Sequence, residues 1–288
     1  MGKNDDQVAI IFWGVRGSTP CANRENMEYG GNTTCMQIRI PGSDEILILD
    51  SGTGIRNLGN ELVRKEKSVS GRIFITHPHW DHIQGFPFFK PIYGAKNHFQ
   101  IHMPAQGDGG CKDILSGHLS ETFFPVTLEM IDANLIYVTQ QPEKRGYEGY
   151  EVEFMLANHP INTAVYKIHV HGKQIVFCPD NELNPRDEKK GTWFYSRFKK
   201  FISDADVLIH DGQYDLEMYE DKRGWGHSAW EAVVDFASRC NVRHLFITHH
   251  DPDSDDDKLR ELDKHLRHNF KKEFESIQLA REGKEMIL

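Results

Sequence analysis

A cluster of histidines directly after an apolar segment constrains this chain more than any other feature. The segment 71–75 reads Gly-Arg-Ile-Phe-Ile, and Thr-His-Pro-His-Trp-Asp-His follows it at residues 76–82. This order predicts a buried strand that delivers polar side chains to one edge of a sheet. Imidazole and carboxylate groups are costly to bury without partners, and both are ordinary ligands of zinc and related divalent metals. We therefore expect a metal site here rather than a solvated, histidine-rich loop.

Length and charge narrow the class of protein. The chain has 288 residues, which is long for one domain but within the range of large α/β and sandwich folds. Since no linker or low-complexity tract interrupts it, we expect a single domain over residues 1–288. The net charge of −9 and the lack of a Lys/Arg-rich block disfavour an extended nucleic-acid surface.

The cysteines and the apolar runs indicate the compartment in which the protein works. The cysteines are scattered, without a CxxC pair, at Cys21, Cys35, Cys111, Cys178 and Cys240. This pattern disfavours a disulfide framework and favours a reducing cytosol. Residues 1–8 are polar and charged, unlike a signal peptide, and no apolar run reaches membrane-spanning length. We therefore expect a cytoplasmic protein that does not enter a membrane.

Apolar runs and turn signals predict an α/β chain in which strands and helices alternate. Strands are predicted at 7–15, 35–40, 45–49, 71–75, 99–103, 137–139, 151–156, 165–170, 174–177, 205–209 and 243–247. Helices are predicted at 55–66, 82–89, 113–119 and 193–202. Residues 276–280 and 285–288 are expected to form a small hairpin. Asp50, directly after a predicted strand, is expected to be a buried structural acceptor rather than a metal ligand.

Two further helices are predicted from their start signals. Ser228 followed by Glu231 has the spacing of a capping box, which would open a helix that runs to Arg239. Ser254 is expected to open the last long helix, which is acidic in its first turn and basic near its end, as the helix dipole favours. The core stripe of this helix is predicted at Leu259, Leu262, Leu266 and Phe270.

Further candidate metal ligands follow predicted strands, where a loop can direct a side chain into a site. These candidates are His159, Asp180 and His249. His250 competes with His249 for this role. We favour His249, because the Thr-His pair at 248–249 repeats the Thr-His pair at 76–77, which also ends a predicted strand.

With these motifs in this order, the chain resembles the metallo-β-lactamase-fold hydrolase superfamily. The resemblance implies a four-layer αββα sandwich and two divalent metal ions, with zinc favoured and manganese or iron as alternatives. It also assigns the ligands, namely His77, His79 and His159 for one ion and Asp81, His82 and His249 for the other. Asp180 would bridge both ions, together with a water or hydroxide.

Within the superfamily, the chain looks most like the branch that contains ribonuclease Z and the cyclic-phosphate phosphodiesterases. Residues 209–211, Ile-His-Asp, resemble the His-Glu motif of that branch, with aspartate in place of glutamate. Residues 226–228, Gly-His-Ser, resemble its His-Ser-Thr motif, with Ala229 where threonine is usual. The long tRNA-binding arm of ribonuclease Z is missing between His159 and Asp180, which disfavours tRNA processing.

The resemblance implies a phosphodiesterase that cleaves a small cyclic or nucleotide-like phosphodiester by metal-activated hydroxide. Asp81 would orient that hydroxide as well as bind metal. His227 would contact the phosphoryl group and donate a proton to the leaving oxygen, with Asp211 orienting its ring. His227 also lies just before a predicted helix, where backbone N–H groups favour an anion.

Candidate substrate contacts lie in glycine-rich loops and beside the site residues. Ser18 and Asn32, together with Arg16, are expected to face the substrate, and Trp225 is expected to stack on a base. Trp80 is also beside site residues, but core packing is favoured for it over stacking. The expected partner is therefore a small phosphodiester or nucleotide.

Other functions are weighed against this one. The same fold could hydrolyse a thioester, a lactone or a β-lactam, although His227 and the pair at 210–211 argue against that. An RNA-processing nuclease without the tRNA arm is a second alternative. A non-catalytic metal-binding protein is the least favoured, because the ligand set looks complete. A homodimer is left open as the assembly.

Overall fold

The structure is a computed structural model that describes residues 7–65 and 67–288. Its strands are β1 (Ala9–Gly14), β2 (Cys35–Arg39), β3 (Ile46–Leu49), β4 (Ser70–Phe74), β5 (His98–Pro104), β6 (Asn134–Gln140), β7 (Lys144–Tyr147), β8 (Tyr150–Leu156), β9 (Ala164–Val170), β10 (Lys173–Cys178), β11 (Val207–Asp211), β12 (His244–Thr248), β13 (Ser276–Leu279) and β14 (Glu285–Ile287). Its helices are α1 (Ile55–Val63), α2 (Trp80–Ile83), α3 (Cys111–His118), α4 (Pro185–Lys189), α5 (Trp193–Ile202), α6 (Leu216–Asp221), α7 (Trp230–Ser238) and α8 (Asp256–Asn269). None of the described helices is long and apolar enough to cross a membrane.

The described residues divide into two compact units, and the first is built on a mixed sheet. This unit contains residues 7–14, 32–65, 67–141 and 282–288. The order of its strands, over the part of the chain that the structure describes, is β14-β1-β2-β3-β4-β5-β6. Neighbours from β14 to β3 run antiparallel, whereas β3 to β6 run parallel. The parallel half therefore brings the carboxyl ends of β3 and β4 to the same edge.

Helix α1 packs its apolar stripe into the core of the first unit. Its buried residues are Ile55, Leu58, Gly59 and Leu62. They share a cluster with the strand residues Ile48 and Ile73. The helix predicted at 55–66 is confirmed from Ile55 to Val63. Its predicted end is wrong, because Arg64 caps the helix and residues 64–65 form a turn; Glu66 itself lies outside the described residues.

The second unit, residues 15–31 and 142–281, is built on a second mixed sheet. The order of its strands is β13-β12-β11-β10-β9-β8-β7. Strands β10 to β13 run parallel, and β7 to β10 run antiparallel. Helices α5, α7 and α8 supply Phe198, Phe236 and Leu266 to one buried cluster with Leu245 of β12. The parallel half again gathers strand ends at one edge, in this case those of β10, β11 and β12.

Strand β7 is not predicted by the sequence. It reads Lys-Arg-Gly-Tyr and lacks the alternation of apolar and polar residues that marks a half-buried strand. In the part of the chain that the structure describes, it lies at the end of the second sheet and pairs antiparallel with β8. Charged residues are typical of such edge strands, where backbone pairing rather than burial holds the segment.

The predicted start of α7 is wrong. The helix begins at Trp230, after Ala229, and has no side-chain cap. The hydroxyl of Ser228 instead donates to the carbonyl of Asn181 (2.5 Å) and accepts from the backbone N–H of Leu183 (2.9 Å). Ser228 therefore joins two loops and is not available to cap the helix.

The predicted start of α8 is also wrong, by one residue. Asp255 caps this helix, because its carboxylate accepts from the backbone N–H of Lys258 (2.8 Å). An aspartate here satisfies a free N–H group and also favours the helix dipole. The predicted core stripe is confirmed, since Leu259 and Leu266 are buried and the other two members pack against the same cluster.

The predicted hairpin near residue 280 is wrong. Strand β13 runs parallel to β12 in the second sheet, whereas β14 runs antiparallel to β1 in the first. Ile277 and Leu279 of β13 are buried in the core of the second unit. The two strands therefore belong to different sheets, because β13 is buried against the second core. They do so although the connection between β13 and β14 is short.

Replacing Leu266 by alanine is expected to destabilise the protein by about 2–5 kcal/mol. The change leaves a cavity in the buried core, and the surrounding side chains can fill it only in part. The side chain of Leu266 is fully buried. The free energy of unfolding from denaturant titration measures the effect. Leu216→Ala is the matched control, because Leu216 is exposed and its loss should change stability by less than about 0.5 kcal/mol. Equal losses in both variants would contradict the assignment of the core.

Candidate metal centre

Parallel strands deliver the predicted site residues in each unit. In the first unit, β3 is followed by Asp50 and β4 by residues 76–82. In the second unit, β10 is followed by Asp180 and β12 by His249, and β11 ends at Asp211. Ligand sites form at the carboxyl ends of parallel strands, because loops there can direct side chains outward from a rigid sheet.

The histidine loop, residues 76–82, gathers potential ligands in the first unit. The Nε2 of His77 lies 2.9 Å from the Nδ1 of His79. The Nε2 of His82 lies 3.3 Å from the Oδ2 of Asp81. His77, Asp81 and His82 are buried, whereas His79 is exposed. Nitrogen and carboxylate oxygen atoms are thus concentrated in one short loop, as a divalent metal requires.

Asp50 fixes the shape of the histidine loop. Its Oδ1 accepts from the backbone N–H of Thr76 (2.7 Å), and its Oδ2 accepts from the Nδ1 of His82 (2.8 Å). Since a carboxylate can only accept, the Nδ1 of His82 carries the proton and its Nε2 offers a lone pair. A carboxylate behind an imidazole in this way orients metal-binding histidines in proteins. The prediction that Asp50 is a buried structural acceptor is confirmed.

Asp180 is the centre of the ligand cluster in the second unit. Its Oδ1 lies 3.3 Å from the Nε2 of His249, and its Oδ2 lies 4.0 Å from the Nε2 of His159. Each carboxylate oxygen thus faces a different imidazole. Asp180, His227 and His249 also offer atoms that lie within 4.8 Å of one another.

The orientation of both imidazoles fits a metal. The Nδ1 of His159 donates to the carbonyl of Gly226 (3.0 Å), and the Nδ1 of His249 donates to the side-chain oxygen of Gln213 (3.1 Å). Each neutral ring therefore presents an unprotonated Nε2 toward the carboxylate of Asp180. Lone pairs that face a carboxylate repel it unless a cation lies between them. The donor set is accordingly suited to a divalent metal ion.

Glycines make room for these two rings. A Cβ added at Gly17 would lie 2.2 Å from the Nδ1 of His249, and one added at Gly226 would lie 2.2 Å from the Nδ1 of His159. Gly226 also has a φ of +90°, which other residues rarely adopt. His249 itself has a φ of +61°, a conformation that costs free energy and is typical of functional sites.

His227 lies beside this cluster and is held by Asp211. The Nδ1 of His227 is 3.0 Å from the Oδ2 of Asp211, and its ring stacks on His249 with centroids 4.8 Å apart. The Oδ1 of Asp211 accepts from the backbone N–H of Gln213 (2.9 Å), which fixes the carboxylate. With Nδ1 held by Asp211, Nε2 is the second nitrogen that the ring of His227 can offer.

Glu182 is a site residue that sequence reasoning does not find. Its buried carboxylate accepts from the hydroxyl of Tyr219 (2.7 Å) and from the backbone N–H groups of Gly224 (3.0 Å) and Gly226 (3.1 Å). These bonds hold the loop that carries His227 and the carbonyl that orients His159. The one available signal is an acid two residues after the strand-end aspartate, which fits many surface loops equally well.

Replacing Glu182 by glutamine is expected to lower kcat about 10- to 100-fold, as the loss of other groups that orient metal-site residues does. The amide NH₂ would face backbone N–H groups, so the loop that carries His227 would move. Turnover and metal content together measure the effect. Glu220→Gln is the matched control, because Glu220 lies nearby but is exposed and pairs with Arg186 at the surface. Equal kcat values for both variants would contradict the assigned role.

The other predicted substrate contacts lie in varied environments. Ser18 is exposed, and Asn32 donates to the carboxylate of Glu282 (3.0 Å). Trp225 is 61% exposed, so its ring is accessible. None of these three contacts is tested by the structure, and they stay predictions. Arg16 is buried and donates to the carbonyls of Gly30, Asp251 and Ser254, which is a structural role.

Two further expectations are decided by the structure. Trp80 is 75% exposed, so the prediction that it packs in the core is wrong. Trp80 is the first residue of α2, and the other three residues of this helix, Asp81, His82 and Ile83, are buried in its place. The Nε2 of His250 donates to the carbonyl of Ala280 (2.8 Å), and burial lowers the pKa of His250 to about 3. His249, not His250, therefore faces Asp180.

Comparison with known proteins identifies the class to which this fold and these clusters belong. Residues 46–250 match the β-lactamase superfamily domain family, and the chain belongs to this family. Ribonuclease Z of Staphylococcus aureus (strain Newman) is 25% identical, over 94% of this chain and 100% of its own. The protein is accordingly a metal-dependent hydrolase.

Solved structures agree with the family assignment at the level of the fold. Unliganded yeast PDE1 superposes with a TM-score of 0.71 and 16% identity, over 98% of this chain and 99% of its own. The metallo-β-lactamase fold protein YhfI from Bacillus subtilis superposes with a TM-score of 0.68 and 18% identity, over 98% of this chain and 100% of its own. The predicted metallo-β-lactamase type of α/β fold is confirmed.

Proposed function

We propose that the protein is a two-metal phosphodiesterase that hydrolyses a small cyclic or nucleotide-like phosphodiester. The observation that carries this proposal is the position of His227, which lies against Asp211 and stacks on His249. Cleavage of a phosphodiester with an alkoxide leaving group is promoted by a proton donor for the leaving oxygen, close to the groups that bind the phosphoryl group. A histidine held by a carboxylate beside the ligand cluster can fill this role.

We assign the metal ligands as the resemblance implies. One ion would be held by His77, His79 and His159, and the other by Asp81, His82 and His249. Asp180 would bridge both, a role supported by its two oxygens, which face different imidazoles. Zinc is the metal we favour, because imidazole and carboxylate ligands suit it, although manganese or iron also suits them. These assignments treat the two units as parts of the single domain expected from the sequence.

The remaining roles follow from the chemistry of each residue. Bound divalent ions would polarise the phosphoryl oxygens and lower the pKa of a water. Asp81 would accept a hydrogen bond from the attacking water and so orient it. His227 would hold a proton on Nε2 and transfer it to the leaving oxygen, while Asp211 fixes its ring. Ser18, Asn32 and Trp225 are proposed to contact the substrate.

The segment between the proposed ligands His159 and Asp180 is the basis on which we propose a small substrate. In the described chain, His159 and Asp180 are separated by the β9–β10 hairpin, without a long arm for a structured RNA. The name of the Staphylococcus aureus relative nevertheless favours RNA cleavage as the second candidate function. Both candidates break a phosphodiester bond and share the same residues.

A hydrolysis panel with elemental analysis tests the proposal. The panel contains bis(p-nitrophenyl) phosphate, cyclic mononucleotides, a tRNA precursor, a thioester and a cephalosporin. We expect two metal ions per chain and turnover of the aryl diester and at least one cyclic nucleotide. Turnover of the thioester or the cephalosporin alone would overturn the reaction, and a tRNA precursor as the best substrate would favour the second candidate. Fewer than two metal ions per chain would contradict the two-metal assignment.

The proposal also covers the cellular compartment and the oligomeric state of the protein. We place the protein in a reducing cytosol, which is supported by the free state of all its cysteines. A selective thiol-labelling assay on cell extracts tests this placement. The homodimer stays a prediction, and sedimentation velocity measures it directly.

A further inference from the structure

We propose that an aromatic groove in the first unit binds the uncharged ring, such as a nucleobase, of the phosphodiester substrate. This inference rests on the proposed function and names the part of the substrate that sets its specificity. The groove has a volume of about 630 Å³, which is within the range of small-molecule sites. Its walls include Trp80, Ile83, Phe88, Ile114, Phe123 and Phe124.

The aromatic walls of the groove are unusually exposed. Trp80 is 75% exposed, Phe123 is 80% exposed and Phe88 is 48% exposed. Phe88 also packs edge-to-face on Phe124, with ring centroids 5.4 Å apart, so the wall is ordered by its own contacts. Large apolar side chains that are grouped at the surface mark binding sites, because leaving them in water costs free energy.

The groove begins at the histidine loop itself. Trp80 is the residue between the proposed ligands His79 and Asp81, and Ile83 follows His82 directly on α2. When the phosphoryl group of a substrate lies at the histidine loop, the group attached next to it therefore lies in the groove. This continuity indicates that the occupant is part of the substrate rather than a separate partner.

The chemistry of the walls selects an uncharged, flat group. Among the described residues that line the groove, none is Asp, Glu, Lys or Arg. His118 is the titratable residue of this lining, and burial lowers its pKa, so it is neutral at neutral pH. A phosphate chain would find no cation here, whereas a base can stack on an indole or phenyl ring. An aliphatic chain is the competing occupant and is tested below.

Kinetics with matched diesters test the inference. Three p-nitrophenyl phosphodiesters share one leaving group and differ in the second alcohol, which is thymidine, methanol or decanol. For Trp80→Ala and for Phe123→Ala, kcat/KM should fall about tenfold for the thymidine ester and change less than about twofold for the methyl ester. Trp193→Ala is the matched control, because Trp193 is also exposed but lies on α5 in the second unit. Phe123→Ala decides the outcome if Trp80→Ala disturbs the adjacent ligands.

Calorimetry supplies a second readout that does not depend on turnover. Ribose 5-phosphate carries a hydroxyl group where AMP carries its base, so the ratio of their dissociation constants reports the contribution of the ring. AMP should bind about tenfold more tightly to the wild-type protein, and Phe123→Ala should remove this difference. Trp193→Ala should leave it unchanged.

The possible results separate this inference from the proposed function. Equal losses for the thymidine and methyl esters, or a preference for the decyl ester, would overturn the aromatic-ring assignment while the phosphodiesterase stands. If no phosphodiester is cleaved, the proposed function fails, and the AMP measurement still decides whether the groove binds a base. Equal dissociation constants for AMP and ribose 5-phosphate would overturn the inference in either case.

Discussion

Replacing Asp180 by asparagine is expected to abolish turnover and to leave the protein folded but deficient in metal. The two carboxylate oxygens of Asp180 face the Nε2 atoms of His249 and His159. An asparagine would place a neutral amide there, with NH₂ against one proposed metal position, so the proposed bridge between two ions could not form. Turnover should fall by more than about a hundredfold. This is a larger loss than that caused by replacing residues that orient the ligands without binding metal themselves. Elemental analysis and kcat on bis(p-nitrophenyl) phosphate measure both consequences.

The control for this variant is Asp235→Asn. Asp235 lies on α7 in the same unit and is exposed, where it pairs with Arg239. Its replacement should leave metal content and turnover unchanged, because exposed ion pairs contribute little. Circular dichroism separates metal loss from unfolding. An Asp180→Asn protein that is folded and retains two metal ions and full turnover would remove Asp180 from the ligand set.

Replacing His227 by alanine is expected to lower kcat about 10²–10⁴-fold while metal content stays the same, because the role we propose for His227 is that of a proton donor and not of a ligand. Asp211→Asn should give a smaller loss, since it removes only the group that orients the ring. Elemental analysis and kcat measure these effects. His268→Ala, on the exposed face of α8, is the matched control.

The leaving group gives a sharper test of this role. p-Nitrophenolate leaves readily without a proton, whereas an alkoxide must be protonated as it leaves. His227→Ala should therefore lose far more activity on a dialkyl or cyclic phosphodiester than on bis(p-nitrophenyl) phosphate. Equal losses on both substrates would show that His227 acts in some way other than proton donation.

The sequence predicts those parts of the protein that depend on local patterns. The apolar segments before residues 76–82 and before 248–249 are strands, and polar residues follow each at the edge of a parallel sheet. Helical spacing in α8 predicts which side chains reach the core. Periodicity and strand ends are properties of neighbouring residues, so a single sequence is enough to find them.

Long-range contacts account for what the sequence does not predict. Glu182 acquires its role from Tyr219, Gly224 and Gly226, which lie far from it in the chain. Ser228 matches a capping pattern, yet its hydroxyl forms hydrogen bonds with a carbonyl and a backbone N–H of another loop. Trp80 departs from the rule that large aromatic side chains are buried, and such departures are expected where a surface binds something.

The division of the chain has a consequence for work with fragments. Residues 15–31, which include the buried Arg16, belong to the second unit, whereas β14 belongs to the first. Neither unit is therefore encoded by an uninterrupted stretch of sequence. Expression of residues 7–141 would leave the edge of β1 uncovered, and expression of 142–281 would leave the carbonyls of Asp251 and Ser254 without their guanidinium donor. Complementation between two such pieces, rather than independent folding of either, is what this connectivity allows.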